Sequence, residues 1–401
     1  MGGEWTSEGL GDVVTFKNRL RIPLSAEQRE RRPGPYLYWG ANGPFASVDD
    51  YLFDGPHVLV AEDGNTVVRP DGRGTVHWAD GQYWVNNHAH VLGVQRGHSL
   101  RWLYYALVDA QVGDFVSGSA QPKLSMGALR RLVLNVPPPD EQCAIVSVLG
   151  ALDDKIESNR RLAAKMREAL LLDHRHRLSR ASGEALFGDL VELLSRGRAP
   201  RYVESGTIVL NQRCVRGGEV DYSHARATDA GKLRRDERLI REGDVLVNST
   251  GVGTLGRTAL VEWRPEHEVC ADSHVTIVRA DPDQVRPSWL ASDLLQREGD
   301  IAALAEGSTG QTELSKSKLA NLVVRLADDP SQAEHDLLAG AIGSQRAALA
   351  RETLTLTAIR DALLPKLVSG QIRVPPTRDE QEAVETVVAE LDARPRQAST
   401  A

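Results

Sequence analysis

Cysteine is scarce. The 401-residue chain has three, Cys143, Cys214 and Cys270, far apart and in no C-x-x-C pair. An odd, scattered set supports neither a disulfide framework nor a cysteine zinc site, and it fits a reducing, cytoplasmic setting. Long apolar runs are lacking too, since none approaches the roughly 18 residues that a membrane span needs. The start MGGEWTSEGLGD shows no basic-then-apolar leader pattern. Positive charge is also in short supply: the net charge is −7, which argues against a uniformly basic nucleic-acid binder. Local clusters remain at Arg29, Arg31 and Arg32, at Arg196, Arg198 and Arg201, and at Lys316 with Lys318. These are either phosphate contacts or solvated loops.

What the chain does contain is a copy of itself. GDVV (Gly11 to Val14) matches GDLV (Gly188 to Val191), and FDGPHVLVAEDG (Phe53 to Gly64) matches REGDVLVNSTG (Arg241 to Gly251). Further along, NHAHVL matches SHVTIV, RWLYYAL matches SWLASDL, and GSAQPKLSMGALRRLVLNV matches GSTGQTELSKSKLANLVVRL. The matches keep their order at a nearly constant offset, so the chain is two versions of one unit.

Each unit starts with short β-branched runs separated by Gly, Asn, Asp and Pro, a pattern of many short strands, plus one small helix carrying Trp102 or Trp289. A helical region follows. VPPPDEQ supplies a proline stop and Asp140 as N-cap, after which Ile145, Leu149, Leu152, Ile156, Asn159, Ala163, Met166 and Leu170 recur at heptad spacing. The second copy is expected to place Leu338, Ile342, Gln345, Leu349, Glu352, Leu356, Ile359 and Leu363 on a matching seam and to end at Pro365 and Gly370. Either an antiparallel pair brings the polar seam residues Asn159 and Glu352 together, fixing register, or both face solvent at a loose point in the coil. The expected fold class is α+β: two β-rich domains joined by two long antiparallel coiled-coil helices, with a pseudo-two-fold internal repeat. The boundaries read as 1–138, 139–182, 183–330 and 331–374, followed by an acidic tail at 375–401. A seam from Ile145 to Leu170 measures roughly 39 Å, close to one turn of B-DNA at about 34 Å.

PPPDEQCAIVSVLGALDDKIESNRRL, the segments GSAQPKLS and GSTGQTELSKSKL, and LLPKLVSGQIRV together resemble the specificity subunits of type I restriction-modification systems. That resemblance implies two target recognition domains that read a bipartite asymmetric site on double-stranded DNA, on helices that dock two methyltransferase subunits and, in some complexes, restriction subunits. It implies no catalytic residue and no cofactor on this chain. S-adenosylmethionine, ATP and Mg²⁺ would belong to the partners. The second helix, SQAEHDLLAGAIGSQRAAL, departs from the family by lacking its Glu-Gln-Arg start and Asp-Lys-Ile centre. Two alternatives stay open: a subunit of a modification-only or fused methyltransferase-nuclease system, and an interaction scaffold that does not touch DNA.

Other chemistries fit less well. Pro139-Asp140 with Asp153-Asp154-Lys155 copies the spacing of a magnesium nuclease, but on a heptad helix those residues do not converge. His57, His77, His88 and His90 lack a cysteine or carboxylate to complete a zinc set, and only His88 has a counterpart, His274. No N-P-P-x or D-P-P-x tetrapeptide is present to hold a flipped adenine. GVGTLG (Gly251 to Gly256) has dinucleotide-site spacing, but strand-like RTALVEW follows it, so it reads as a hairpin turn. The candidate DNA readers are loop residues with bidentate side chains: Arg19, Arg21, Asn42, Asn65, Arg69, Asn87, Arg198, Asn211, Gln212, Arg213, Asn248 and Arg257. His88 and His274 join them, with Lys123, Lys316 and Lys318 as phosphate clamps. Tyr36, Tyr38 and Trp39 are expected in the core, the alternative being contact with sugar or thymine methyl groups.

Overall fold

The computed structural model describes residues 4–374, apart from 96, 119–120, 182, 230, 232–235, 252, 265–266 and 306–312. The tail at 375–401 lies outside the described residues. The fold is α+β. Two compact units divide the chain, Met1–Ile156 with Thr355–Ala401, and Glu157–Leu354. The 40-residue helices Pro139–Leu178 and Asp329–Val368 each contribute one part to either unit.

In the first unit Thr6–Gly9 pairs antiparallel with Val133–Val136. A four-stranded sheet runs in the order Val14–Phe16, Ala89–Val94, His57–Ala61, Val76–Ala79. Its strand HVLVA is buried throughout, as an uninterrupted apolar run should be. A second sheet holds Tyr36–Gly40 parallel to Gln82–Val85. Helix Leu100–Asp109 is capped by Ser99, whose hydroxyl accepts from the Trp102 N–H. It buries Trp102, Leu103 and Leu107 in one core with Ile145 and Leu149 of the first long helix and Leu364 and Leu367 of the second.

The second unit repeats this order. Gly183–Leu186 pairs with Val323–Leu326. A six-stranded sheet contains Val191–Arg196, Val275–Ala280, Val245–Asn248 and Thr258–Leu260 in that order. Thr207–Leu210 lies parallel to Val269–Ala271 in a second sheet, and helix Pro287–Gln296 buries Trp289. The glycine motif is the connection between antiparallel strands Val245–Asn248 and Thr258–Leu260. Gly251, Gly253 and Gly256 all adopt positive φ there, and a Cβ at Gly256 would meet Ala302 at 2.7–2.8 Å.

Within each unit the long helices run antiparallel. Arg360 meets Asp153 at 3.1 Å in the first unit. In the second, His335 meets Asp173 at 2.8 Å and the Asn159 amide donates to Glu352 at 2.9 Å. The two helix starts use one device. The Gln142 side chain accepts from the Ser99 N–H and donates to the Pro137 carbonyl, and Gln332 does the same with Arg286 and Ala327. This equivalence places His335 where the first helix has Ile145, Arg346 where it has Ile156, and Leu364 where it has His174.

The expected second seam is therefore corrected. Ile342, Leu349 and Leu356 are half-buried, but Glu352 is exposed and Leu338 and Ile359 are 37% and 43% exposed. His335 and Arg346 are buried instead, at 0% and 3%. Apolar spacing misleads here because polar side chains with built-in partners fill the inner positions. On the first helix Ile145, Leu149, Ile156 and Asn159 are buried, with Leu152 and Met166 half-buried. Two termini also differ from expectation. Asp140 lies inside the first turn rather than capping it, and the second helix passes through Pro365 to Val368 because Leu364, Leu367 and Val368 anchor its last turn in the core.

Arg346 ties the second helix to its module. Its guanidinium reaches Glu262 at 2.7 and 2.9 Å, Glu219 at 2.6 Å, and the Ala163 carbonyl of the first helix. Removing one partner of a buried ion pair costs about 3–5 kcal/mol. Arg346→Met is expected to destabilise the second unit by an amount at the lower end of that range, because Glu219 remains half-exposed; denaturant unfolding of the full chain checks it.

Below Trp289 sit His174 and His335, with ring centroids 4.4 and 5.7 Å from the indole. The His174 Nδ1 accepts from Gln296 at 2.9 Å, while its Nε2 is buried without a partner. Burial, reinforced by the neighbouring His335, pushes the His174 pKa down to about 3. An unfolded histidine titrates near 6.5, so the unfolded chain takes up this proton first, and stability present above about pH 6.5 is lost as pH falls towards 3. His174→Leu, which copies the equivalent Leu364, should flatten the loss of melting temperature between pH 7 and pH 5. An unchanged slope would show that the loss originates elsewhere.

Candidate nucleic-acid interface

Both modules build the same constellation of loops. In the first, the loop after His57–Ala61 takes its Glu62 N–H to the His88 carbonyl, and Leu124 N–H bonds the Glu62 carbonyl, each at 2.8 Å. In the second, Ser249 N–H bonds the His274 carbonyl and Leu314 N–H bonds the Ser249 carbonyl, at 2.9 and 2.8 Å. The turns before the histidines also agree. Asn86 and Asp272 each accept the N–H of the histidine two residues on, both at 2.8 Å. Asp63 bridges to Lys123 and Thr250 bridges to Glu313. His88 thus corresponds to His274, Glu62 to Ser249, Asp63 to Thr250, and Lys123 to Glu313.

The scaffold is shared and the chemistry is not. In the first module Glu62 receives Arg21 at 2.8 Å and lies 3.4 Å from Lys123. Burial raises its carboxyl pKa, but the Arg21 hydrogen bond and the His90, Arg21 and Lys123 charges outweigh this and hold it below the usual range. Asp63 meets His88 at 2.6 Å. In the second module Thr250 takes that place, 2.8 Å from His274 Nδ1. Gln212 packs beside Gly251, and Asn248 donates to the Gln212 carbonyl at 2.9 Å. A cleft of about 490 Å³ opens here between Tyr202, Arg213, Arg226, Asp272 and His274. Burial raises the Asp272 pKa, its hydrogen bonds opposing.

The sequence candidates divide accordingly. Asn42, Asn65, Asn87, His88, Lys123, Arg213, His274 and Lys316 are exposed, as is Arg19 on the turn before Arg21. Asn42 accepts from the Thr66 hydroxyl. Gln212, Arg257 and Lys318 are half-buried. Five others have partners inside the fold. The Arg21 side chain is 13% exposed and spans Glu62 and the Ala89 carbonyl. Asn248 is fully buried, and Asn211 is buried with its amide on the His224 carbonyl. Arg69 reaches the Val108 carbonyl at 3.2 Å. Arg198 pairs with Asp236. Glu62, Asp63 and Thr250 escaped attention although matching AEDG to NSTG marks them; nothing in the sequence singles out Tyr202 or Arg226.

The remaining histidines are structural. His57 lies 2.6 Å from the Tyr83 hydroxyl, His77 bonds the Ala41 carbonyl at 3.0 Å, and His90 bonds the Leu124 carbonyl at 2.8 Å. Burial lowers the pKa of all three. Asp153 accepts from Tyr105 and Arg360, which uses it as an ion-pair partner. Among the described residues no group of three or more His, Cys, Asp or Glu could hold a metal, and no helix is long and apolar enough to cross a membrane.

Residues 2–167 match the type I restriction modification DNA specificity domain. A putative type I restriction enzyme specificity subunit of Haemophilus influenzae is 32% identical over 151 residues, 38% of either chain. The EcoprrI type I restriction enzyme specificity subunit of Escherichia coli is 32% identical over 147 residues, 36% of this chain and 35% of its own. The chain thus spans little more than a third of the length of these curated relatives. The crystal structure of a type I restriction-modification S subunit from M. genitalium shares the fold at a TM-score of 0.51 and 17% identity, covering 91% of this chain and 96% of that one. Residues 2–167 are thus similar to the DNA specificity domain of type I restriction-modification systems, and the chain as a whole shares the fold of the M. genitalium S subunit.

Proposed function

We propose that the chain reads a bipartite asymmetric DNA site through two target recognition domains, residues 1–138 and 183–330, and that its helical regions, 139–182 and 331–374, scaffold two methyltransferase subunits. The observation that carries this reading is the loop constellation built twice on one scaffold with different side chains. Glu62, Asp63 and Lys123 stand in one module where Ser249, Thr250 and Glu313 stand in the other. A reader of two unlike half-sequences needs equal geometry and unequal base-edge chemistry.

Leu162, Leu172, Leu337 and Leu354 on the long helices are 46–77% exposed, which suits surfaces that partners cover. Methyl transfer and, in a restricting complex, cleavage would be supplied by those partners with S-adenosylmethionine, ATP and Mg²⁺, and this chain would contribute recognition alone. Replacing residues 1–138 with the equivalent module of a relative is expected to change the sequence methylated by the assembled complex in one half-site only. Sequencing of methylated sites checks this; a change in both half-sites or in neither would overturn the modular reading.

A further inference from the structure

Resting on the reading that the second module touches DNA, we infer that Arg226 determines specificity there by reading a guanine through the major groove. Arg226 opens strand Arg226–Thr228 and pairs in register with Val209. Its guanidinium carbon lies 3.5 Å from the centre of the Tyr202 ring. Tyr202 lines the same cleft as Asp272, a carboxylate only 3% exposed that accepts the His274 N–H.

A guanidinium lying on an aromatic face has its plane fixed and its in-plane N–H groups turned to the side, so it loses little freedom on making a bidentate contact. Arg226 is exposed on the wall of the 490 Å³ cleft and forms no ion pair among the described residues. The edge it presents matches the paired O6 and N7 acceptors of guanine.

A phosphate would accept the same fork, and comparison of the modules separates the two. In the first module the strand equivalent to Thr207–Leu210 is Tyr36–Gly40, and Tyr38, the counterpart of Val209, pairs with Ala46. The place of Arg226 is therefore held by alanine. Contacts to a uniform backbone serve both modules alike, whereas a base contact belongs to one half-site.

The test uses the full chain assembled with its methyltransferase subunits and duplexes in which each guanine of the target is replaced singly by 7-deazaguanine, which lacks the N7 acceptor. The unmodified complex should lose about 10-fold in affinity at one guanine, in the half-site assigned by module exchange to residues 183–330. Arg226→Ala should show the same loss on natural DNA and no further loss at that guanine, while losses at other positions stay unchanged. Tyr202→Leu should move in the same direction, and Arg226→Lys should not restore the guanine preference. Uniform weakening on all sequences with a reduced salt dependence would identify a phosphate contact and overturn the assignment, as would a half-site in which no guanine couples to Arg226. If the unmodified complex distinguished no bipartite site, the recognition reading would fall and take this assignment with it.

Discussion

Each module is held by the burial of one tryptophan against a seat made by both long helices. Trp102 and Trp289 are both fully buried, and burying such a side chain contributes more than most other contacts in a small core. In the first unit the seat contains Ile145 and Leu364; in the second the equivalent positions are His335 and His174. The glutamines at the helix starts secure this arrangement, since Gln142 and Gln332 tie the chain entering each helix to the chain entering each tryptophan helix. Everything that positions the loops follows from it. The sheets pack on the tryptophan helices, and the loops leave the ends of those sheets.

The two seats solve one packing problem by different physics. Ile145 and Leu364 fill the first by apolar contact. His335 needs Asp173 and Ser292 to satisfy its ring nitrogens, and His174 keeps one nitrogen unsatisfied. A buried polar seat constrains geometry more tightly than an apolar one and loses stability when its groups become charged. Arg346 extends this second style along the helix, where Ile156 stands in the first copy. The second unit is thus the more polar in its joints and, at the Thr250 and Glu313 positions, the more neutral or acidic in its loops.

The same contrast explains what was legible. The repeat, the short strands, the tryptophan helices and the two long helices all leave periodic or repeated signals, and the glycine loop was decided by the strand that follows it. The first helix seam was legible because its buried residues, Asn159 apart, are apolar. The second was read in a displaced phase, through Leu338 and Ile359, because the inner positions carry His335 and Arg346, whose burial depends on partners up to 183 residues away. Among the loop candidates, residue type alone could not distinguish Asn87, which is exposed, from Asn248, which is fully buried beneath the Gln212 loop.

The sequence by itself determined the fold class, the duplication and the family resemblance, since each is carried by local pattern or by similarity between matched segments. Tertiary structure alone decided which side chains are spent inside the molecule and which remain to meet a partner. Arg21 is consumed by Glu62 and Arg198 by Asp236, while Arg226 is stacked on Tyr202 and left exposed. The physical reason is that a guanidinium is satisfied by whichever acceptor or ring the fold brings within hydrogen-bond or stacking distance, and that proximity is set by strand register and loop closure rather than by neighbours in the chain.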